Sequence, residues 1–572
     1  MKSIRKYFPI LEWLPQYKKH QLQGDLFAGI TVGVMLIPQG MAYALIAGLP
    51  PVYGLYASLV PQLIYAMLGT SRQLSVAPVA MDSLLVASGV AVLATEGTEA
   101  YIHFAILLAF FMGAFQLLLG GVRLGFITNL LSRPVISGFT SAAALIIGLS
   151  QLKYLLGVDI IKSNRVYEIV ANTVDKLGEV NIAPLLIGLL GIIIILLTKR
   201  ISKKIPGALI VVILGTIASY GLNLHAFGVS IVKEIPGGLP AFIIPDFKLG
   251  SFGELIPLAL TIAVVAFMEA YSVSKALEAK KRDHKVMPNQ ELIALGVSNL
   301  VGSFFQSFPV TGGFSRSAVN HQVGANTLLS SVFSVLLIGL TLLFLTPLFY
   351  HLPHAVLASI IMVAVIGLVD RKYARYLYQT DKVEFLLFIV TFLITLNLGM
   401  INGIVSGIVF SILILLYKAA YPHVAILGKV ENSKEFRNIE RFDNLQQWDN
   451  LLIMRVDTPY AFINIQTIKD RVLKEAELRK EKLTHIILDA SSVSHVDATA
   501  IQEINALTLT LKEMGIQLVF TSVIGPVRDA FHKNWSREGT QGQMFLNTNV
   551  AVKALTGQEV ELLNEHVVQV NV

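Results

Sequence analysis

The sequence predicts a polytopic α-helical membrane protein of about fourteen spans, followed by a small α/β domain. Three observations carry this. Of the 572 residues, 54% are hydrophobic and only 15% charged, and the mean hydropathy is +0.65, too apolar for a chain that must present a charged surface to water on every side. Between about residue 24 and about residue 420 the apolar residues gather into stretches near the roughly 20-residue length that a helix needs to cross a bilayer. Beyond Tyr421-Pro422 charged residues become frequent and apolar runs short.

Residues 1–23 are basic and polar and are expected to be a cytoplasmic N-terminal segment. The apolar run that follows has no early small-residue cleavage site, so it reads as a retained first span. The transmembrane domain is expected over 24–420. Its clear spans are 26–45, 53–68, 104–119, 185–197, 208–220, 255–271, 328–345, 383–398 and 404–417, whereas 76–93 and 310–323 are shorter or broken by Pro and Gly. With a cytoplasmic N-terminus the inside loops become 199–204, 275–285 and 371–382, each rich in Lys and Arg, while most outside turns have neither. That asymmetry is the positive-inside pattern and places both termini in the cytoplasm, with the spans in a plasma or inner cell membrane. A linker over 421–435 then leads to the α/β domain over 436–560 and a tail over 561–572. Buried strands are expected at 451–456, 486–488 and 517–520, with amphipathic helices at 468–480 and 500–514.

Composition also excludes several functions. The surplus of seven positive charges is spread over short patches between apolar runs, which suits membrane orientation and not nucleic-acid binding. There is no cysteine, hence no disulfide, thiolate metal site or cysteine nucleophile. Histidines such as His351 and His354 lack metal-ligand spacing, and no phosphate-binding loop, His-Glu-x-x-His or Gly-x-Ser-x-Gly motif occurs, so neither an enzyme nor a metal or organic cofactor is expected.

The two broken segments are the most informative part of the chain. Each places a short extended stretch before a helix start: Leu74-Ser75-Val76-Ala77-Pro78-Val79-Ala80, and Phe308-Pro309-Val310-Thr311-Gly312-Gly313-Phe314-Ser315-Arg316. They fall at the third span of each set of seven, and interrupted segments at matching positions of two halves point to a midplane site in an inverted-repeat transporter. Non-helical backbone at that depth must be buried or line a cavity. Two facing helix N-termini offer free N–H groups and positive dipole ends to an anion; ordinary Pro and Gly kinks are the competing reading.

Arg316 adds a full charge whose planar fork can chelate two oxygens of an oxyanion, unless it is only a structural arginine paired with a carboxylate. Glu269 stands alone in an otherwise uncharged apolar helix, where burial disfavours the charged form and equips it to take and release a proton near neutral pH. Next to a dianionic substrate this favours proton symport; the competing reading is a fixed Glu269–Arg316 ion pair. Asp82 is a possible secondary acid, or only a dipole partner in a first helical turn. Gln39 and Tyr43 stand four apart on one face of the first helix and can offer an amide and a hydroxyl. Gly399, Gly403 and Gly407 read as a packing ladder.

In order along the chain, Ile37-Pro38-Gln39-Gly40-Met41-Ala42-Tyr43-Ala44, Gly48-Leu49-Pro50-Pro51-Val52-Tyr53-Gly54-Leu55-Tyr56, Ser75-Val76-Ala77-Pro78 and Phe308-Pro309-Val310-Thr311-Gly312-Gly313-Phe314-Ser315-Arg316-Ser317-Ala318-Val319-Asn320 closely resemble the sulfate permease (SulP) family of anion transporters. The resemblance covers nearly the whole chain. It implies a seven-plus-seven inverted repeat divided into core and gate, an elevator-like alternating access, and a homodimer. It also implies an anion held between half-helices starting near Pro78 and Gly313, with Gln39, Tyr43, Pro78, Val79, Ala80, Gly313, Phe314, Ser315 and Arg316 as the substrate-binding set. Val79 matches a position that is aromatic in some animal members. Glu269 matches the carboxylate used in proton-linked members, where sodium-linked bicarbonate members tend to carry Asp, which favours protons over sodium.

The C-terminal part resembles the STAS domain through Ile487-Leu488-Asp489-Ala490-Ser491-Ser492-Val493 and Asp497-Ala498-Thr499-Ala500. In soluble relatives the position of Thr499 can be a phosphorylated, regulatory hydroxyl; a plain hydroxyl near a helix start is the competing reading. The resemblance thus implies secondary active transport of a small inorganic oxyanion, with sulfate and proton symport first and a bicarbonate or chloride transporter as the alternative, and a cytoplasmic protein partner for the STAS domain.

Overall fold

A computed structural model describes residues 8–125, 132–160, 165–201, 206–247, 250, 252–281, 284–366, 369–538 and 543–557. The chain divides into two compact units, Met1–Ser411 and Ile412–Val572. The expected tail over 561–572 and parts of the expected basic loops lie outside the described residues.

The first unit is helical. Among the described residues nine helices are long and apolar enough to cross a membrane, and Ala80–Val90 and Gly207–Gly221 are shorter apolar helices. The element order recurs along the unit. A long helix (Lys19–Ile46), helices through Leu68, strand β1 (Val76–Ala77), the short helix Ala80–Val90 and the helix Glu99–Gly121 are matched later. Their counterparts are Phe252–Lys281, Pro288–Ser303, strand β2 (Thr311–Gly312), Phe314–Val323 and Leu329–Leu340. β1 pairs antiparallel with β2, Val76 opposite Gly312 and Ala77 opposite Thr311, so the broken segments of the two halves meet. This pairing satisfies backbone groups that lipid could not.

Burial separates two kinds of helix. The apolar window of Lys19–Ile46 is 72% buried, whereas that of Asn402–Ala420 is 17% buried. Leu186, Leu190, Ile193 and Leu197 of helix Ile182–Ile201 are likewise exposed. Apolar faces this large are stable against acyl chains and not against water. Inside, helices Glu99–Gly121 and Pro288–Ser303 approach backbone to backbone. A Cβ at Gly113 would overlap the Leu300 amide and one at Gly296 would overlap the Leu117 amide, the close packing that small residues permit.

Several expectations for this unit change. The basic stretches over 199–204 and 275–285, expected as loops, continue the preceding helices as far as Ile201 and Lys281. The basic stretch over 371–382, expected as a loop, contains the helix Arg371–Thr380, capped by Asp370, which accepts from the Tyr373 N–H at 3.0 Å. Its charges read as loop, but the cap and buried Leu377 fold it. In the glycine ladder, a Cβ at Gly403 would overlap Thr395 and one at Gly407 would press on Val135, as packing requires. Gly399 instead has φ +91° between two helices and serves as the turn.

The second unit carries a six-stranded mixed sheet, order β4-β3-β5-β6-β7-β8. Its strands are β3 (Val424–Lys429), β4 (Phe436–Asn438), β5 (Leu451–Val456), β6 (His485–Asp489), β7 (Gln517–Thr521) and β8 (Gln543–Phe545). β5 through β8 run parallel; β3 is antiparallel to β4 and β5. Leu452, Met454, Ile486, Leu488, Leu518 and Phe520 face one core while Leu451, Ile453, Ile487 and Val519 face another. The parallel strands are therefore buried on both sides and read as unbroken apolar runs. Helices Ile465–Leu478, Ala498–Glu513, Gly525–Glu538 and Thr548–Thr556 complete the unit. Strand β3 falls within the stretch expected as linker.

Candidate functional site

The β1–β2 ribbon starts two half-helices. Val79 is the N-cap of Ala80–Val90 and Gly313 that of Phe314–Val323, and neither has a side-chain cap, so their leading N–H groups remain free for a ligand. The ribbon is locked by its surroundings. The Gly313 N–H donates to the Ser75 carbonyl at 3.0 Å, and the Ser75 N–H donates to the Ser317 hydroxyl at 2.9 Å. The Thr311 hydroxyl donates to the Ala266 carbonyl at 2.6 Å, which ties β2 to the helix that carries Glu269. Asn299 accepts from the Val310 N–H at 2.8 Å and donates to the Val310 carbonyl at 3.0 Å.

A cavity of about 750 Å³ opens in front of these helix starts. It brings together Gln39, Tyr43, Val79, Ala80, Glu269, Gly313, Phe314, Ser315 and Arg316. Pro78 is buried just behind this lining, and Asp82 is fully buried and outside it. Thr499 lies in the other unit, exposed in the first turn of Ala498–Glu513. There the cap is Asp497, whose carboxylate accepts from the Ala500 N–H at 2.8 Å.

Arg316 is 2% exposed. Its Nη2 donates to the Ala77 carbonyl at a long 3.3 Å, and its Nε has no partner among the described residues. The guanidinium folds back over Gly313, where an added Cβ would come within 2.7 Å of Nη2, so the glycine makes room for it. No ion pair joins Arg316 to Glu269, although each acts on the other electrostatically; the Glu269 Oε2 and the Gln39 Oε1 are also buried without partners. Buried polar atoms without partners are uncommon, and three around one cavity mark a place where a polar ligand would satisfy them. The fixed ion pair considered from sequence is not formed. The cavity is also lined by Thr198, Lys199, Pro206, Val369 and Asp370, which in sequence lie within or next to the basic stretches expected inside the cell.

Sequence reasoning missed the supports. Glu291 is fully buried and accepts from the Tyr65 hydroxyl at 2.7 Å, the Thr70 N–H at 2.7 Å, the Thr70 hydroxyl at 2.5 Å and the Ser71 N–H at 3.2 Å. Asp25, also fully buried, accepts from the N–H groups of Asn326 and Thr327 at 2.6 and 2.9 Å and from the Thr327 hydroxyl at 2.7 Å. These carboxylates are satisfied by donors and hold the loops that flank the half-helices. The available signal was an acid near the start of an apolar helix, which does not reveal its partners.

Residues 22–391 match the Sulfate permease family, and residues 444–534 match the STAS domain. The chain is 39% identical over 555 residues to sulfate transporter 4.1, chloroplastic, of Arabidopsis thaliana, covering 94% of this chain and 80% of that protein. It is 35% identical over 546 residues to high affinity sulfate transporter 2 of Stylosanthes hamata, covering 92% and 82%. The structure of the murine anion transporter Slc26a9 in the inward-facing state superposes with a TM-score of 0.90 at 27% identity, covering 97% of this chain and 95% of that one.

Proposed function

This chain belongs to the sulfate permease family, and on that premise we propose that it is a secondary active transporter that carries sulfate together with protons. The observation that carries the reading is Arg316, buried at the start of a half-helix on the cavity wall with unused hydrogen-bonding capacity and, among the described residues, no carboxylate bound to it. A tetrahedral dianion there would receive the guanidinium fork, the N–H groups of two half-helices and the Gln39 and Tyr43 side chains. The naming of relatives at up to 39% identity as sulfate transporters supports sulfate as the anion.

Glu269 supplies the coupling. Both it and the dianion are negative, so the site holds sulfate best when Glu269 is protonated, and leaves it most readily once that proton has gone. Its place in an otherwise uncharged apolar stretch, with Oε2 buried and without a partner among the described residues, supports this role. The cavity's reach toward Lys199 and Asp370 supports an arrangement open to the cytoplasm. Alternating access then follows as an elevator: the elements bearing the two half-helices move against the lipid-exposed helices, carrying the site across. In this reading the protein is a homodimer in a plasma or inner cell membrane, with both termini cytoplasmic and the STAS domain free to bind a cytoplasmic protein.

Uptake of labelled sulfate into proteoliposomes with and without an inward proton gradient tests the proposal. Gradient-dependent accumulation is expected. Sulfate movement indifferent to the gradient, or chloride or bicarbonate exchange without sulfate uptake, would reject it.

A further inference from the structure

We infer that the segment over 8–22 is a docking surface for anionic lipid, taking the headgroups and upper acyl chains of the bilayer where the chain enters it. The inference does not depend on which ion is carried. The segment comprises the helical turns Ile10–Trp13 and Leu14–Gln16 and the first turn of helix Lys19–Ile46. It is apolar on two sides. Trp13 is buried in the core of the first unit, Ile10 packs against that core, and this turn meets the helix Val60–Leu68. Phe8, Leu11 and Leu14, spaced three apart on another face, are 43%, 43% and 46% exposed. A helical segment that is apolar on opposite sides has an apolar phase on both, and on the outer side water is not that phase.

The position of the segment identifies the phase as lipid. The Tyr17 hydroxyl donates to the Asp25 Oδ2 at 3.2 Å. Asp25 lies in the second turn of the first span and is itself held by Asn326 and Thr327, so the segment is fastened beside the span's entry. Leu22, Leu26 and Ile30, four apart on one face of that span, are exposed as well. On a spanning helix such a stripe lies against acyl chains, and the apolar turns of the segment stand where the stripe begins.

Charge then selects the headgroups. Lys18, Lys19 and His20 are exposed between the two apolar patches. Lys18 is the N-cap of the first span and Lys19 its first residue, where the positive end of the helix dipole disfavours cations. Helix stability therefore does not explain them. At a bilayer surface, long lysine side chains lay their stems along apolar groups and hold their ammonium groups at the level of the phosphates. Each lysine close to an anionic surface strengthens attachment by about fivefold. The opposing charge is Glu12, exposed on the same segment; in sequence Lys2, Arg5 and Lys6 precede it.

The chain has no cysteine, so Leu11→Cys places a single environment-sensitive fluorophore on the full-length protein. The labelled protein is reconstituted in vesicles of phosphatidylcholine, alone or mixed with phosphatidylglycerol. Brominated acyl chains quench a label in lipid, and acrylamide quenches one in water. With phosphatidylglycerol present, lipid quenching should dominate at position 11, whereas a label at Glu481→Cys, exposed in the second unit, should be quenched by acrylamide alone. Adding Phe8→Ser and Leu14→Ser should bring position 11 to the acrylamide pattern, because the native face and not the dye drives insertion. Adding Lys18→Gln and Lys19→Gln should lower the ratio of lipid to water quenching by about fivefold per lysine in the anionic vesicles and leave it unchanged in the neutral ones. Acrylamide quenching of position 11 in both vesicle types would overturn the inference, as would shielding from both quenchers by protein. So would lipid quenching that survives the serine substitutions, or an equal ratio with and without phosphatidylglycerol. The comparison of the two vesicle types without further substitution is decisive if a substituted chain folds poorly. Because the label reads position alone, a chain that fails to accumulate sulfate would reject the transport reading and leave this result unchanged.

Discussion

Asn299 grips Val310 at both backbone atoms, accepting from its N–H at 2.8 Å and donating to its carbonyl at 3.0 Å. The side chain acts as a one-residue strand partner for the extended stretch that leads into β2. Removing it would strand a buried donor and a buried acceptor, each costing about 1–3 kcal/mol.

Asn299→Ala should therefore lower the melting temperature of the detergent-solubilised protein. Asn299→Asp, which keeps the acceptor but loses the donor, should fall between it and the unmodified protein. Equal melting temperatures for all three would show that the grip contributes nothing.

Arg316→Lys keeps the charge and loses the planar fork. Sulfate binding should weaken by about tenfold or more, the scale of one charge-assisted hydrogen bond. Isothermal titration of sulfate into the purified protein checks this; an unchanged Kd would mean that the arginine does not touch the anion.

The two units have cores drawn from their own residues, one running from Trp13 to Ile404 and the others confined to the sheet and helices after residue 420. A fragment of residues 422–557 should accordingly be monomeric and soluble and unfold cooperatively by circular dichroism. A fragment ending at residue 421 should give a symmetrical size-exclusion peak. Aggregation of the first fragment would mean that its sheet needs the rest of the chain.

Much of the site could be read from single residues because its signals are local. A Pro or Gly break, a lone Arg316 and a lone Glu269 stand out against apolar surroundings whatever they touch. The supports did not stand out, since their meaning lies in distant partners: Glu291 meets Tyr65 across 226 positions, and Asn320 meets the Gln73 carbonyl across 247. In the second unit β5, β6 and β7 announced themselves as apolar runs, being buried on both faces. The edge strand β4 and edge strand β8 are three residues each, too short for any periodicity to register. β3 hid in a stretch whose flanking charges resemble a linker. The helix Arg371–Thr380 was concealed for the same reason, its charges outweighing the one buried Leu377.

The central claim is that Glu269 carries the coupling proton, and Glu269→Gln tests it most directly. Gln has nearly the shape of protonated Glu and cannot release a proton. On the same batch of proteoliposomes, sulfate-for-sulfate exchange and gradient-driven accumulation are measured for the unmodified protein and the variant. The account predicts that the variant still binds and exchanges sulfate, with less dependence on pH, while accumulation driven by the proton gradient disappears. Accumulation at the unmodified level would contradict it.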